Sequence, residues 1–213
     1  MSDRLTMYND ALLMAGERSL GSLTEVAESR RLLDQVWNSG GVKKCLEEGQ
    51  WKFAMRTVQL DFDPALTPSF GYRRAFDKPT DWIVTSSLAS DAYFSSPLLG
   101  YFDEAQYWYA DVDKIYVRYV SDDVGYGLNI NKWPGSFQEF VSAHFASRVT
   151  WKLTGSKEKL ATVNDNRKEL KKIALNKDAM AEPTRFPPPG SWVKSRLRTG
   201  GARDLGNIAG DLY

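Results

Sequence analysis

The sequence predicts an α+β protein: a helical bundle built from the N- and C-terminal blocks, an inserted antiparallel β domain, and an extended C-terminal arm. Three observations predict it. Apolar residues recur at helical spacing near both ends of the body. Between them the spacing drops to two, in a block that holds 17 of the chain's 27 aromatic residues, and rings suit a half-buried pleated surface. The last 31 residues then gather four of nine prolines and five of sixteen glycines, a density that resists helix and sheet. The expected boundaries are 1–50 and 131–182 for the two parts of the bundle, 51–130 for the β insert and 183–213 for the arm.

Leu5, Tyr8, Leu12 and Ala15 share one helix face, and Gly16 ends that helix. Ser22-Leu23-Thr24-Glu25 reads as a capping box opening a long second helix, with Val26, Leu33, Val36 and Trp37 on its apolar face. Gly40-Gly41 marks a kink or a close backbone approach, and Gly49 a C-cap. In the middle block, Val58 to Phe62 and Ile115 to Tyr119 alternate as strands. Gln106 to Tyr109 and Ile115 to Val117 flank Asp111-Val112-Asp113-Lys114, which reads as a hairpin turn. Ser136-Phe137-Gln138-Glu139, after Trp133-Pro134-Gly135, is a second capping box. Its helix carries Phe137, Phe140, Val141, His144, Phe145 and Trp151 on an apolar side and ends at Gly155. Ser156 caps a last helix whose stripe of Leu160, Val163, Leu170 and Ala174 is interrupted by Arg167.

Composition narrows the function. The 213 residues carry a net charge of +1, divided as −2 on the body and +3 on the arm, so the body is not a basic nucleic-acid reader. No apolar run spans a bilayer, so no membrane insertion is expected. The N-terminus lacks a signal-peptide pattern, which points to synthesis in a cytoplasm. One cysteine, Cys45, excludes an internal disulfide and a multi-cysteine zinc site. One histidine, His144, excludes paired-histidine metal centres, and its place on an apolar helix face reads as a satisfied core or interface histidine.

Little catalytic chemistry survives inspection. Asp111-Val112-Asp113 lacks the remaining ligands of a calcium loop. Asp103-Glu104 and Asp122-Asp123 offer carboxylates for sugar hydrolysis, but adjacent acids on loops are usually solvated. Thr154-Gly155-Ser156-Lys157 lacks the upstream glycine of a phosphate loop. No cofactor, metal or catalytic residue is expected. Tyr93, Phe94, Tyr101 and Phe102 stand out instead as surplus rings for subunit contacts. In the arm, Arg185, Phe186, Trp192, Arg196, Arg198 and Tyr213 are the residue types that anchor interfaces, while the same composition equally fits a disordered tail.

In order along the chain, Asn9-Asp10-Ala11-Leu12-Leu13, Gly16-Glu17 and Ser22-Leu23 resemble the opening of the tail tubular protein A family, the head-to-tail adaptors of short-tailed phages. Trp51-Lys52-Phe53-Ala54 resembles its tryptophan–any–phenylalanine–alanine signature. The aromatic link from Pro68 to Pro79-Thr80-Asp81 resembles its proline–aspartate link, with Thr80 splitting the final pair. Trp133 to Phe137 and the helix to Gly155 continue the likeness, which spans residues 5 to about 185.

The resemblance implies a non-enzymatic structural virion protein in the phage tail, assembled in the host cytoplasm. It implies a ring of about twelve copies between the portal protein and the distal tail nozzle, with the arm of each copy holding either the portal or the adjacent copy. The free chain would be monomeric until the portal templates the ring, and DNA would pass through the lumen without sequence-specific binding. Two rival classes remain from the residues themselves: an envelope polysaccharide or cell-wall hydrolase, and a nucleic-acid module using the basic arm.

Overall fold

A computed structural model describes residues 3–69 and 71–181. The chain divides into two units, Met1–Met180 and Ala181–Tyr213. Among the described residues the first unit is a mixed α+β structure with five α-helices and two small three-stranded antiparallel sheets.

Helix α1 (Arg4–Ala15) starts on Asp3, whose carboxylate accepts the Thr6 amide, and stops at Gly16 in the left-handed region. Both ends follow the local chemistry of a short polar N-cap and a glycine exit. Helix α2 (Glu28–Asn38) begins later than expected, with Ala27 at its N-cap and no side-chain cap. Glu25 does reach back, but to the Gly21 amide, while the Ser22 hydroxyl takes the Thr24 amide. Ser22 to Glu25 therefore closes a local turn rather than a capping box, and Val26 is 96% exposed instead of lying on an apolar face.

At Gly40-Gly41, where one long helix is expected to kink or meet another backbone, the helix ends outright and α3 (Gly41–Glu47) begins. Gly40 has φ 78°, and a Cβ on Gly41 would sit 2.8 Å from the Val36 carbonyl oxygen and 3.1 Å from the Phe145 ring. Helix α3 passes out through Glu48, one residue before Gly49.

After a short 3₁₀ turn at Lys52–Ala54 come β1 (Met55–Asp61), β2 (Arg74–Asp77), β3 (Trp82–Ala89), β4 (Tyr101–Asp103), β5 (Tyr107–Ala110) and β6 (Lys114–Ser121). Their orders are β1-β6-β3 in one sheet and β2-β5-β4 in the other. Thus β5 and β6 do not form the expected hairpin. The Asp111–Asp113 turn instead carries the chain between sheets, braced by the Arg73 amide donating to Asp111 and the Arg74 guanidinium donating to Asp113. Both runs alternate because each belongs to a different half-buried sheet, and alternation does not name a partner.

The alternation in β6 sorts two cores. Ile115, Val117 and Tyr119 join Phe76 and Trp108 of the second sheet, and Val120 joins the helices. Helix α4 (Gly135–Thr154) is the centre of the larger core. It packs on α1, α2, α3 and α5 and buries eleven of its residues, which is why its apolar positions run round most of its circumference. It starts on Pro134 with no side-chain cap. Ser136, the expected cap, lies inside the first turn and is buried. Trp151, expected in the apolar side, is 49% exposed. Helix α5 (Lys157–Met180) is capped by Ser156, which accepts the Lys159 amide, and buries Val163 and Ala174.

Replacing Gly41 by Ala forces a methyl group against backbone and a buried ring. The expected loss is about 2 kcal/mol in urea unfolding. Gly100→Ala, where a Cβ meets nothing within 4 Å, is expected to stay within about 0.5 kcal/mol of the parent.

Candidate assembly interface

The cleft with the most developed chemistry lies on the second sheet. Register places Phe102 of β4 directly opposite Tyr109 of β5. Glu104 follows Phe102 by two residues and so returns to the same side. The segment entering β2 supplies Pro68, Ser69, Gly71 and Tyr72 to the opposite wall, enclosing a cavity of about 290 Å³. Phe102 is 57% exposed. Burial and the neighbouring Glu104 carboxylate hold the Tyr109 phenol above its ordinary pKa.

A polar network behind the cleft fixes that wall. The Lys78 side chain is only 5% exposed. Its ammonium donates to Asp103 Oδ1 at 2.5 Å and to the Glu104 carbonyl at 2.6 Å, and lies 3.7 Å from the Trp82 ring centroid. Asp103 Oδ2 accepts from the Thr85 hydroxyl and the Trp108 indole. With Asp103 held on one side of the strand end, Phe102 and Glu104 are turned to the other.

Of the four surplus rings, the structure exposes two. Tyr93 is 90% exposed at the tip of the loop after β3. Asp91 braces that loop by accepting the Ser95 and Ser96 amides, which lower its pKa. Phe94 takes φ 55° and is covered by the Arg118 guanidinium, 4.7 Å from its centroid. Tyr101 packs against the smaller core. The arm residues Arg185, Phe186, Trp192, Arg196, Arg198 and Tyr213 lie outside the described residues.

A second polar constellation surrounds α4. Arg167, which interrupts the α5 stripe, pairs with Glu48 at the end of α3, and Lys171 joins the same carboxylate at 2.9 Å. The Arg167 guanidinium also sits 5.7 Å from the Phe140 centroid. His144 is buried beside this group, but neither ring nitrogen has a hydrogen-bond partner. It is therefore a core histidine without the expected satisfying partner. Burial, then Arg167, push its pKa down to about 4, with Arg148 and Lys44 acting the same way and Glu48 opposing. Cys45 is buried as well, and burial followed by the Glu48 charge pushes its thiol upward, away from a reactive thiolate.

The acids weighed for hydrolysis have structural duties. Asp122 pairs with Lys43 at 3.0 Å, and Asp123 accepts the Gly125 amide at 2.7 Å. Among the described residues no group of three or more His, Cys, Asp or Glu is placed to hold a metal ion. No helix there is long and apolar enough to cross a membrane. No protein-family model matches the chain, and no curated protein matches it.

His144 gives a pH dependence. Its neutral form is favoured in the fold, so between about pH 6.5 and pH 4 the unfolded chain takes up a proton that the folded chain refuses. Stability is thereby lost as pH falls, by up to roughly 3 kcal/mol from this group. His144→Phe removes the proton-accepting ring, so the drop in unfolding free energy from about pH 7 to about pH 4.5 is expected to be smaller in the variant than in the parent.

Proposed function

We propose that this chain is a structural adaptor: a helical bundle with an inserted β domain that joins about eleven further copies in a ring between portal and tail nozzle, leaving a conduit for DNA. Identical chains close such rings through head-to-tail contacts. The helices would stack round the channel, and the β block would face neighbouring copies and the nozzle.

The observation that carries this reading is the meeting of its ordered motifs. Trp51 and Phe53 belong to one, and Trp133 and Phe137 to another, some eighty residues later. Their rings converge on Phe137, with centroids 4.8 Å away for Trp51, 4.7 Å for Phe53 and 5.2 Å for Trp133. Motifs that form a joint between helices and sheets speak for an architectural role. The aromatic link, the third motif, supplies Pro68 and Tyr72 to the cleft and Lys78 to its support. A body charge near zero also suits a conduit that should not grip phosphates.

Envelope polysaccharide hydrolysis is the second reading, and the rings of the cleft are what favour it, since sugars stack on such surfaces. Among the described residues Glu104 is the single carboxylate lining that cleft, whereas the usual mechanism flanks the scissile bond with two.

Attachment tests the adaptor reading. Full-length protein is expected to bind portal-bearing heads and render them competent for nozzle addition. A chain cut after Glu182 is expected to keep the far-ultraviolet and unfolding signals of the body and lose attachment. Failure of the full-length chain to join such heads would contradict the adaptor reading; attachment by the truncated chain would contradict the arm's part in it. Release of sugar from envelope material by the purified protein would favour the hydrolase.

A further inference from the structure

The cleft on the second sheet is chemically matched to a segment of the chain itself. Its walls include Pro68, Tyr72, Phe102 and Tyr109, its charged member is Glu104, and its volume is about 290 Å³. Aromatic grooves of this kind take proline-rich segments, whose extended conformation carries little entropy to lose. A carboxylate at the rim adds a preference for a neighbouring cation. Arg185-Phe186-Pro187-Pro188-Pro189 supplies both in five consecutive residues.

We propose that this cleft receives the Arg185–Pro189 segment of a second copy, with the three prolines laid across Phe102, Tyr109 and Tyr72 and the Arg185 guanidinium paired to Glu104. Three features support the choice of occupant. Charge is complementary, since residues 183–213 carry a net +3 and the rest of the chain −2. The segment follows Met180, the end of α5, by five to nine residues, enough extended chain to reach about 17–30 Å. The β4 wall of the receiving surface is preformed, because Lys78 pins Asp103 and the Glu104 carbonyl and so leaves Phe102 and Glu104 facing outward.

The second copy comes from the ring reading, but binding between segment and cleft can be measured without a ring. The receptor is the full chain carrying Arg185→Glu in its own arm, isotopically labelled, so that its arm does not compete. The ligand is a synthetic peptide of residues 183–192. Saturable shifts are expected at Tyr72, Phe102, Glu104 and Tyr109. Glu104→Arg, introduced into a receptor that keeps Arg185 so that its own arm stays mismatched, is expected to weaken binding at least about tenfold, and a peptide carrying R185E to restore it on that receptor. Phe102→Ser is expected to weaken binding without disturbing distant resonances.

Absence of saturable shifts, or a charge reversal that is not rescued, overturns the proposal. Shifts at these residues caused by an envelope oligosaccharide and not by the peptide also overturn it, in favour of a sugar-binding cleft. The ring is judged separately, by whether portal raises the mass of the unmodified chain. Peptide binding with no ring would sink the adaptor reading and leave the segment-to-cleft match standing; a ring with no peptide binding would do the reverse.

Discussion

The contact of Trp51 with Phe137 is the constraint on which the rest of the body hangs. Trp51 is where the chain leaves the helices for the sheets, and Trp133, against the same Phe137 ring, is where it returns. Both indoles are buried and both donate to backbone carbonyls, Trp51 to Cys45 and Trp133 to Gly127. Burying an indole without a partner for its N–H would cost free energy. The two donors therefore fix the rings in one orientation as well as in place. The exit and return points of the β block are thereby held side by side on the first turns of α4.

The end of α5 is tied to the same joint. The Lys52 amide donates to Asp178 and its ammonium to the Asp178 carbonyl at 2.7 Å. A cation on the last carbonyls of a helix satisfies groups that the helix itself cannot. Lys52 lies beside Trp51 in sequence, so the last turn of α5 is anchored to the point at which the chain enters β1.

Periodicity made the α+β class legible, and the glycines at 16 and 155 marked helix ends where the backbone takes positive φ, whereas Gly40, read as a kink, ends α2 outright. Capping boxes misled twice, because Ser22 spent its hydroxyl on a nearer amide and Ser136 was drawn into the core. The β5–β6 hairpin misled because alternation reports half-burial and not pairing. Phe102 was legible as a surplus ring. The cleft it lines was not, because Tyr72, Glu104 and Tyr109 come together only through the register of β4 on β5 and the anchoring of Lys78. His144 was legible as a core residue, while its lack of a partner depends on what α3 and α5 bring to its ring. The arm's anchors rest on composition alone.

In the proposed adaptor, a body built round this joint closes into a ring on a portal. Mass measurement of the free chain, then of the chain with purified portal, tests it most directly. The expected result is a monomer alone and, with portal, a gain of about twelve chains per portal ring. A chain that stays monomeric and leaves the mass of the portal unchanged would contradict it.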